Sequence, residues 1–295
     1  MNKRIPRSKL KSGVDADSVY LRVINVFLII FLVFIVVFPI YVVANVSFKT
    51  SSEYATTGLL AFPENIHLGN YKYVLTFQDS QLITGFMNTL ILISVSVTGS
   101  VLLGTMTAYI LGRFNFKLKS VILALFILVI LIPKETTHVA TFNIIKSLGL
   151  FNTRAAGMIL YMSTDIIQIM VFLQFITKIP ISIDESARMN GASYFRVYYQ
   201  MILPLMAPAI LTVIIIKTVW IYNDLFVPYI YMPAKSLRTV TTALMALGQQ
   251  GGAGRLTEWT TMSAAIIVAF IPTVILYAVF QKQIIAGVAE GSTKQ

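Results

Sequence analysis

The chain has 295 residues, 57% of them hydrophobic and 12% charged, with a mean hydropathy of +0.78; a soluble domain carries about twice that charge. This excludes an ordinary soluble fold, the zero Cys count excludes disulfides and thiol chemistry, and two histidines, His67 and His138, are too few for a His-only metal cluster. The formal net charge of +11 reports topology before it reports a ligand such as nucleic acid, because Lys and Arg collect in the cytoplasmic loops of membrane proteins.

Taken in chain order, residues 1–22 form a basic segment with Lys3, Arg4, Arg7, Lys9, Lys11 and Arg22. The apolar run after it exceeds the roughly 7–15 residues of a signal-peptide core, so residues 23–46 are read as a retained first transmembrane helix. Residues 47–84 are polar, with Pro63, Asn65, His67 and Asn70 as turn formers, and read as an extracytoplasmic loop. A second span, about 85–112, is rich in Ser, Thr and Gly, which let helices approach closely in lipid.

Arg113, Lys117 and Lys119 form a short basic loop. The third span starts at Ser120 and meets Pro133 after roughly 20 Å, too early for the far interface. It is therefore expected to be kinked or broken and to continue through Lys134, Glu135 and His138 toward Ile145. The fourth span, about 155–177, contains Asp165 and Gln168; the fifth, about 205–232, contains Lys217, Asn223 and Asp224; the sixth covers about 259–280, and residues 281–295 form a tail.

With the N-terminus inside, fourteen Lys and Arg fall in inner segments and eight in outer ones. The bias places both termini in the cytoplasm. The expected fold class is thus an all-α integral membrane protein of about six transmembrane helices.

Between the fourth and fifth spans, residues 183–208 read IDESARMNGASYFRVYYQMILPLMAP. Asp184 and Glu185 stand near a helix start, Asn190-Gly191 suits a tight left-handed turn, and Tyr194 to Met201 restarts a helix. The segment resembles the EAA loop of ATP-binding-cassette importer permeases: Glu185, Ala187, Gly191, Leu203 and Pro204 match it, whereas Ser186, Asn190 and Met201 replace its usual Ala, Asp and Ile. The LGLFNT turn at 148–153, Ile179-Pro180, LPLMAP at 203–208, the Trp220 to Asn223-Asp224 stretch and Phe280-Gln281 with Gly287 extend the likeness from about Gly85 to the C-terminus. They are similar to the G-type subunit of maltose-type sugar permeases.

The resemblance implies a type I ABC importer permease fold with a permease core at 85–280 and a docking loop that seats in an ATPase. It also implies a second homologous permease subunit, two ATP-binding subunits, an extracytoplasmic sugar-binding protein, and residence in a bacterial-type cytoplasmic membrane among lipid. No Walker-type loop is present, so the chain itself is expected to hold no cofactor, with ATP and Mg bound by the partners. The loop 233–258, with Gln249, Gln250, Gly251 and Gly252, is expected to reach the binding protein.

Ionisable residues at bilayer depth cost at least about 2.5–3.5 kcal/mol and each calls for a reason. Lys134, Glu135, Tyr161, Asp165, Gln168, Lys217, Asn223 and Asp224 are candidates for a translocation path, with packing pairs as the other reading. Lys217 and Asp224 are seven apart, hence expected on one helix face. Trp220 and Trp259 read as interface anchors. Asp165, Asp224 and Glu135 also suit an ion-coupled secondary transporter, the rival function.

Overall fold

The computed structural model describes residues 11–76, 82–249 and 257–292, and among these every regular element is helical. The described residues fall into two compact units, one within 1–73 and 253–267, the other within 74–252 and 268–295.

The first unit holds α1 (Lys11–Ser47) and α2 (Ser51–Thr57), and α3 (Gly69–Thr76) starts in it. Apolar side chains from Val23 to Phe38 are exposed along α1, as a lipid-facing helix requires. The following segment, expected as a solvated loop, is tied to the end of α1 by side-chain amides. Asn45 Nδ2 donates to Leu59 O and Ala61 O, both at 2.8 Å, and Asn70 Nδ2 donates to Ser47 O and Lys49 O, both at 2.8 Å. Lys49 is fully buried, and its ammonium donates to Thr57 Oγ1 at 3.2 Å and Gly58 O at 2.8 Å, where the negative end of the α2 dipole favours a cation.

The second unit is organised on α4 (Leu82–Arg113). Around it lie α5 (Lys119–Ile130), α6 (Lys134–Ser147), α7 (Arg154–Met162), α8 (Ile166–Lys178) and α9 (Ile181–Met189). Next come α10 (Tyr194–Val197), a π-helical turn at Tyr198–Ile202, α11 (Leu203–Leu205), α12 (Ala207–Asn223), α13 (Phe226–Tyr231) and α14 (Val240–Gln249). The last helix, α15 (Thr257–Ser292), runs from the first unit into the second and continues through residues expected as a tail.

The buried face of α4 carries Ser96, Ser100, Thr105 and Ala108, small enough for α7, α8 and α12 to pack closely on it. Phe172, Ile176, Ile202, Met206 and Val213 complete the core.

Among the described residues, three helices are long and apolar enough to cross a membrane: Tyr20–Ser47, Leu82–Arg113 and Trp259–Gln281. Two bent pairs, α7 with α8 at 46° and the Tyr194–Leu205 arm with α12 at 73°, raise the number to five. The six expected spans are not reached by length, because the third is divided at Leu131–Pro133 and leaves only the 12-residue α5 before the break. The fourth span is divided as well, at Ser163–Asp165, and the fifth ends at Asn223, short of Met232.

Candidate functional site

The segment carrying the resemblance folds as a helical hairpin. Pro180 fixes the entry to α9, and α9 closes with a left-handed Gly191 at φ +81°. Gly191 N donates to Arg188 O at 2.9 Å and Ala192 N to Ala187 O at 3.0 Å, the paired bonds that satisfy the last carbonyls of a helix in a Schellman motif. Ser193 then caps α10 by accepting from Arg196 N at 3.2 Å. Asn190, standing where the family has Asp, donates from Nδ2 to Ser186 O at 2.9 Å. An ionised carboxylate has no proton for that bond, so the departure reinforces the turn.

The two helices are stapled to each other and to α4. The Arg188 guanidinium lies 3.9 Å over the Tyr194 ring and donates to Ala192 O at 3.3 Å. Tyr194 meets Phe114 edge to face at 5.1 Å, and Tyr198 OH lies 2.9 Å from Thr105 Oγ1. Arg113, expected in a basic loop, is the last residue of α4; its Nε stands 3.0 Å from Asp184 Oδ2 and its Nη2 donates to Ile179 O at 2.9 Å. Burial pushes the Asp184 carboxyl above its usual range, with Arg113 opposing the shift.

What the hairpin presents outward is Glu185, Ser186, Pro204 and a set of large apolar groups. Met189 is 88% exposed, Phe195 67% and Tyr199 61%, with Met201 also open. Ala187 and Leu203 turn the other way, against the core. An apolar knob on a braced base is suited to seating in a partner's cleft.

The expected path residues divide into two groups. Tyr161, Gln168 and Lys217 are buried, at 1%, 2% and 6% exposure, and their polar atoms are taken up by protein. Lys217 Nζ donates to Ser100 Oγ at 2.5 Å and Ser163 O at 2.7 Å, with Asp165 Oδ2 at 3.7 Å. Gln168 Nε2 donates to Ser100 O at 2.7 Å, and Asp165 Oδ1 caps α8 by accepting from Gln168 N at 2.9 Å. These residues clamp the break between α7 and α8 onto α4 and α12, where freed backbone groups need partners.

The shared face expected for Lys217 and Asp224 does not form, because α12 stops at Asn223. Asp224 instead accepts from Tyr161 OH and from Phe226 N, both at 2.8 Å, fixing the turn into α13. Asn223 is exposed and donates to Val219 O of its own helix, and the Asp165 side chain is 51% exposed. Trp220 stacks edge to face on Tyr161. Lys134 and Glu135 open α6, but their side chains lie outside the described residues. Gln249 ends α14 and is exposed, while Gln250, Gly251 and Gly252 lie outside the described residues.

Ser100, which joins Lys217 to Gln168, and the pairing of Arg113 with Asp184 were not legible in the sequence. The Asp165-x-x-Gln168 spacing is itself a helix-start signal inside the fourth span.

Residues 100–290 match the family model of the binding-protein-dependent transport system inner membrane component, and so include the hairpin and the clamp. The chain belongs to this family. It is an ABC transporter permease, a membrane subunit of a transport complex whose ATPase is a separate subunit, and a multi-pass protein of the inner membrane.

The permease is 30% identical to the probable starch degradation products transport system permease protein AmyC of Thermoanaerobacterium thermosulfurigenes, over 84% of this chain and 88% of that protein. It is 27% identical to the melibiose/raffinose/stachyose import permease protein MelC of Bacillus subtilis, over 84% and 88% of the two chains. Its fold matches a chain of a bacterial ABC transporter involved in the import of the acidic polysaccharide alginate, with a TM-score of 0.81 at 20% identity, covering 95% of this chain and 99% of that one.

Proposed function

We propose that this permease carries a sugar, of the di- or oligosaccharide class, across the cytoplasmic membrane by alternating access. It pairs with a second homologous permease and docks two ATP-binding subunits through Glu185–Pro204, which bind ATP and Mg. It receives its substrate from an extracytoplasmic sugar-binding protein, and both termini face the cytoplasm.

The observation that carries this reading is the hairpin: an exposed apolar knob whose base is fastened to α4 by Arg113–Asp184 and continues as a bent arm into α12. A push on such a knob reaches two core helices directly. The sugar assignment is supported by the names of relatives, which include import permeases for melibiose, raffinose and stachyose and for galactooligosaccharides.

Within the membrane, Asp165, Asn223 and Asp224, with Lys134 and Glu135, are the groups offered to passing hydroxyls, while Tyr161, Gln168 and Lys217 hold the break that presents them. Gln249 to Gly252 reach toward the binding protein. Family membership displaces the ion-coupled rival.

Proteoliposomes holding the complete complex test the reading. Sugar uptake is expected to need internal ATP and to persist when proton and sodium gradients are collapsed. Uptake that survives removal of the ATPase, or stops with the gradients, contradicts it.

A further inference from the structure

In the first unit, the stretch from Gly58 to Phe62 reads GLLAF, and its large side chains face away from the protein. Leu59, Leu60 and Phe62 are all exposed, Phe62 at 77%. Water-facing loops are polar, and large apolar groups held open together mark a surface that something apolar covers.

The backbone beneath them is fully engaged. Four consecutive carbonyls, Gly58 to Ala61, each accept a side-chain bond: from Lys49 Nζ at 2.8 Å, from Asn45 Nδ2 at 2.8 Å, from Tyr41 OH at 3.1 Å and again from Asn45 Nδ2 at 2.8 Å. Tyr41 and Asn45 belong to the last turns of α1, and the Tyr41 ring also meets Phe62 edge to face at 5.9 Å. In water such carbonyls need no protein donor; beside hydrocarbon they do.

The depth agrees. Arg22 is exposed and is the last basic residue before the apolar run of α1, which is unbroken to Ser47. Tyr41 follows nineteen residues later, roughly 28 Å along the helix, at the far edge of a hydrocarbon core of about 30 Å. A tyrosine at that level is the usual boundary residue. Ile66, tied through His67 N to Phe48 O at 2.9 Å, stands farther out along the chain's exit from α1. No Lys or Arg occurs within 50–71, whereas Glu53 and Glu64 do, so anionic headgroups offer this segment no attraction.

We infer that Leu59, Leu60 and Phe62 form an apolar wedge seated in the outer leaflet at the boundary of headgroups and acyl chains, continuing the lipid-facing surface of α1. The assignment rests on the orientation proposed above. Burial of apolar groups to a depth of about 5–10 Å, without help from charge, is the mode of binding it describes. Arg22 at the inner boundary and the wedge at the outer one then set the height of α1 in the bilayer.

The chain has no native cysteine, so nitroxide labels at Leu60→Cys, Phe62→Cys and Ile66→Cys can be read in the whole transporter, assembled with cysteine-free partners and reconstituted in phosphatidylcholine. Leu60→Cys serves where loss of the Tyr41 contact disturbs the Phe62 site. Collision with oxygen, relative to a water-soluble nickel chelate, is expected to be several-fold higher for the Leu60 and Phe62 labels than for the Ile66 label, and to stay so when phosphatidylglycerol is added. Leu60 and Phe62 labels open to nickel overturn the wedge. Labels closed to both reagents assign the surface to a protein partner, and a pattern that needs phosphatidylglycerol assigns it to headgroup charge; either overturns the wedge. An impermeant maleimide added outside should modify Ile66→Cys. Modification only from the inside removes the orientation and the wedge together, whereas outside modification with nickel-open labels removes the wedge alone.

Discussion

The two ends of α4 are held by different chemistry. At the Asn88 end, neutral amide groups grip backbone carbonyls of the segment before α14, bonds that do not titrate and have one geometry. At the Arg113 end, a mostly buried ion pair and ring contacts hold a hairpin whose outer surface is apolar and open. Burying charges carries a desolvation cost that opposes their attraction, and burial raises the Asp184 carboxyl while Arg113 opposes the shift. The contrast separates an end fixed by neutral hydrogen bonds from an end held by an ion pair and ring contacts, one that can respond to a partner and to pH.

The comparison breaks most sharply at Asn88. Asn88→Ala removes both bonds to the carbonyls of Ser236 and Arg238 and the acceptor for Arg154, at a cost of about 3 kcal/mol. It should lower the thermal stability of the purified complex while leaving the hairpin's hydrogen-exchange protection intact. Equal loss of protection at both ends would show that they are not independent.

Gly191→Val comes next. Open space surrounds the glycine, with nothing within 4 Å of an added Cβ, so the expected cost of about 1–3 kcal/mol comes from the positive φ alone. ATP hydrolysis should then continue with uptake reduced. Uptake at the wild-type rate per ATP would remove the hairpin from coupling.

The smallest effect concerns pH. Asp184 is raised above its ordinary value of 3.8 mainly by burial, so the closed hairpin binds this proton more tightly than an opened one. Closure is therefore strengthened as pH falls through the window between 3.8 and the raised value. Hydrogen-exchange protection of residues 181–205, corrected for intrinsic rates, should rise on acidification in wild type and stay flat in Asp184→Asn. Protection that falls in wild type over that window would mean that the ion pair outweighs burial.

Much of this was legible in the sequence, for identifiable reasons. Apolar runs set α1, α4 and α15, Pro133 announced the break before α6, and Gly191 announced the left-handed turn, because each depends on local chain chemistry. The pairing of Lys217 with Ser100, Ser163 and Asp165 was not legible, since it joins residues more than fifty positions apart across three elements. Heptad spacing misplaced Asp224 because it assumes a helix that in fact ends one residue earlier. Arg113 read as a loop cation since sequence does not reveal that α9 brings a carboxylate back to it. The bonds from Asn88 to the carbonyls of Ser236 and Arg238 were not legible either, since they join residues 148 and 150 positions apart.

The most direct measurement on the hairpin uses the absence of native cysteine. A single cysteine at Met189, the most exposed large apolar residue of the knob at 88%, is installed in the intact transporter and treated with a short thiol cross-linker. Cross-linking to an ATP-binding subunit, with a yield that changes between nucleotide-free and ATP-bound states, is the expected result. A complex that transports normally yet gives no cross-link to any ATP-binding subunit in either state would contradict the docking role.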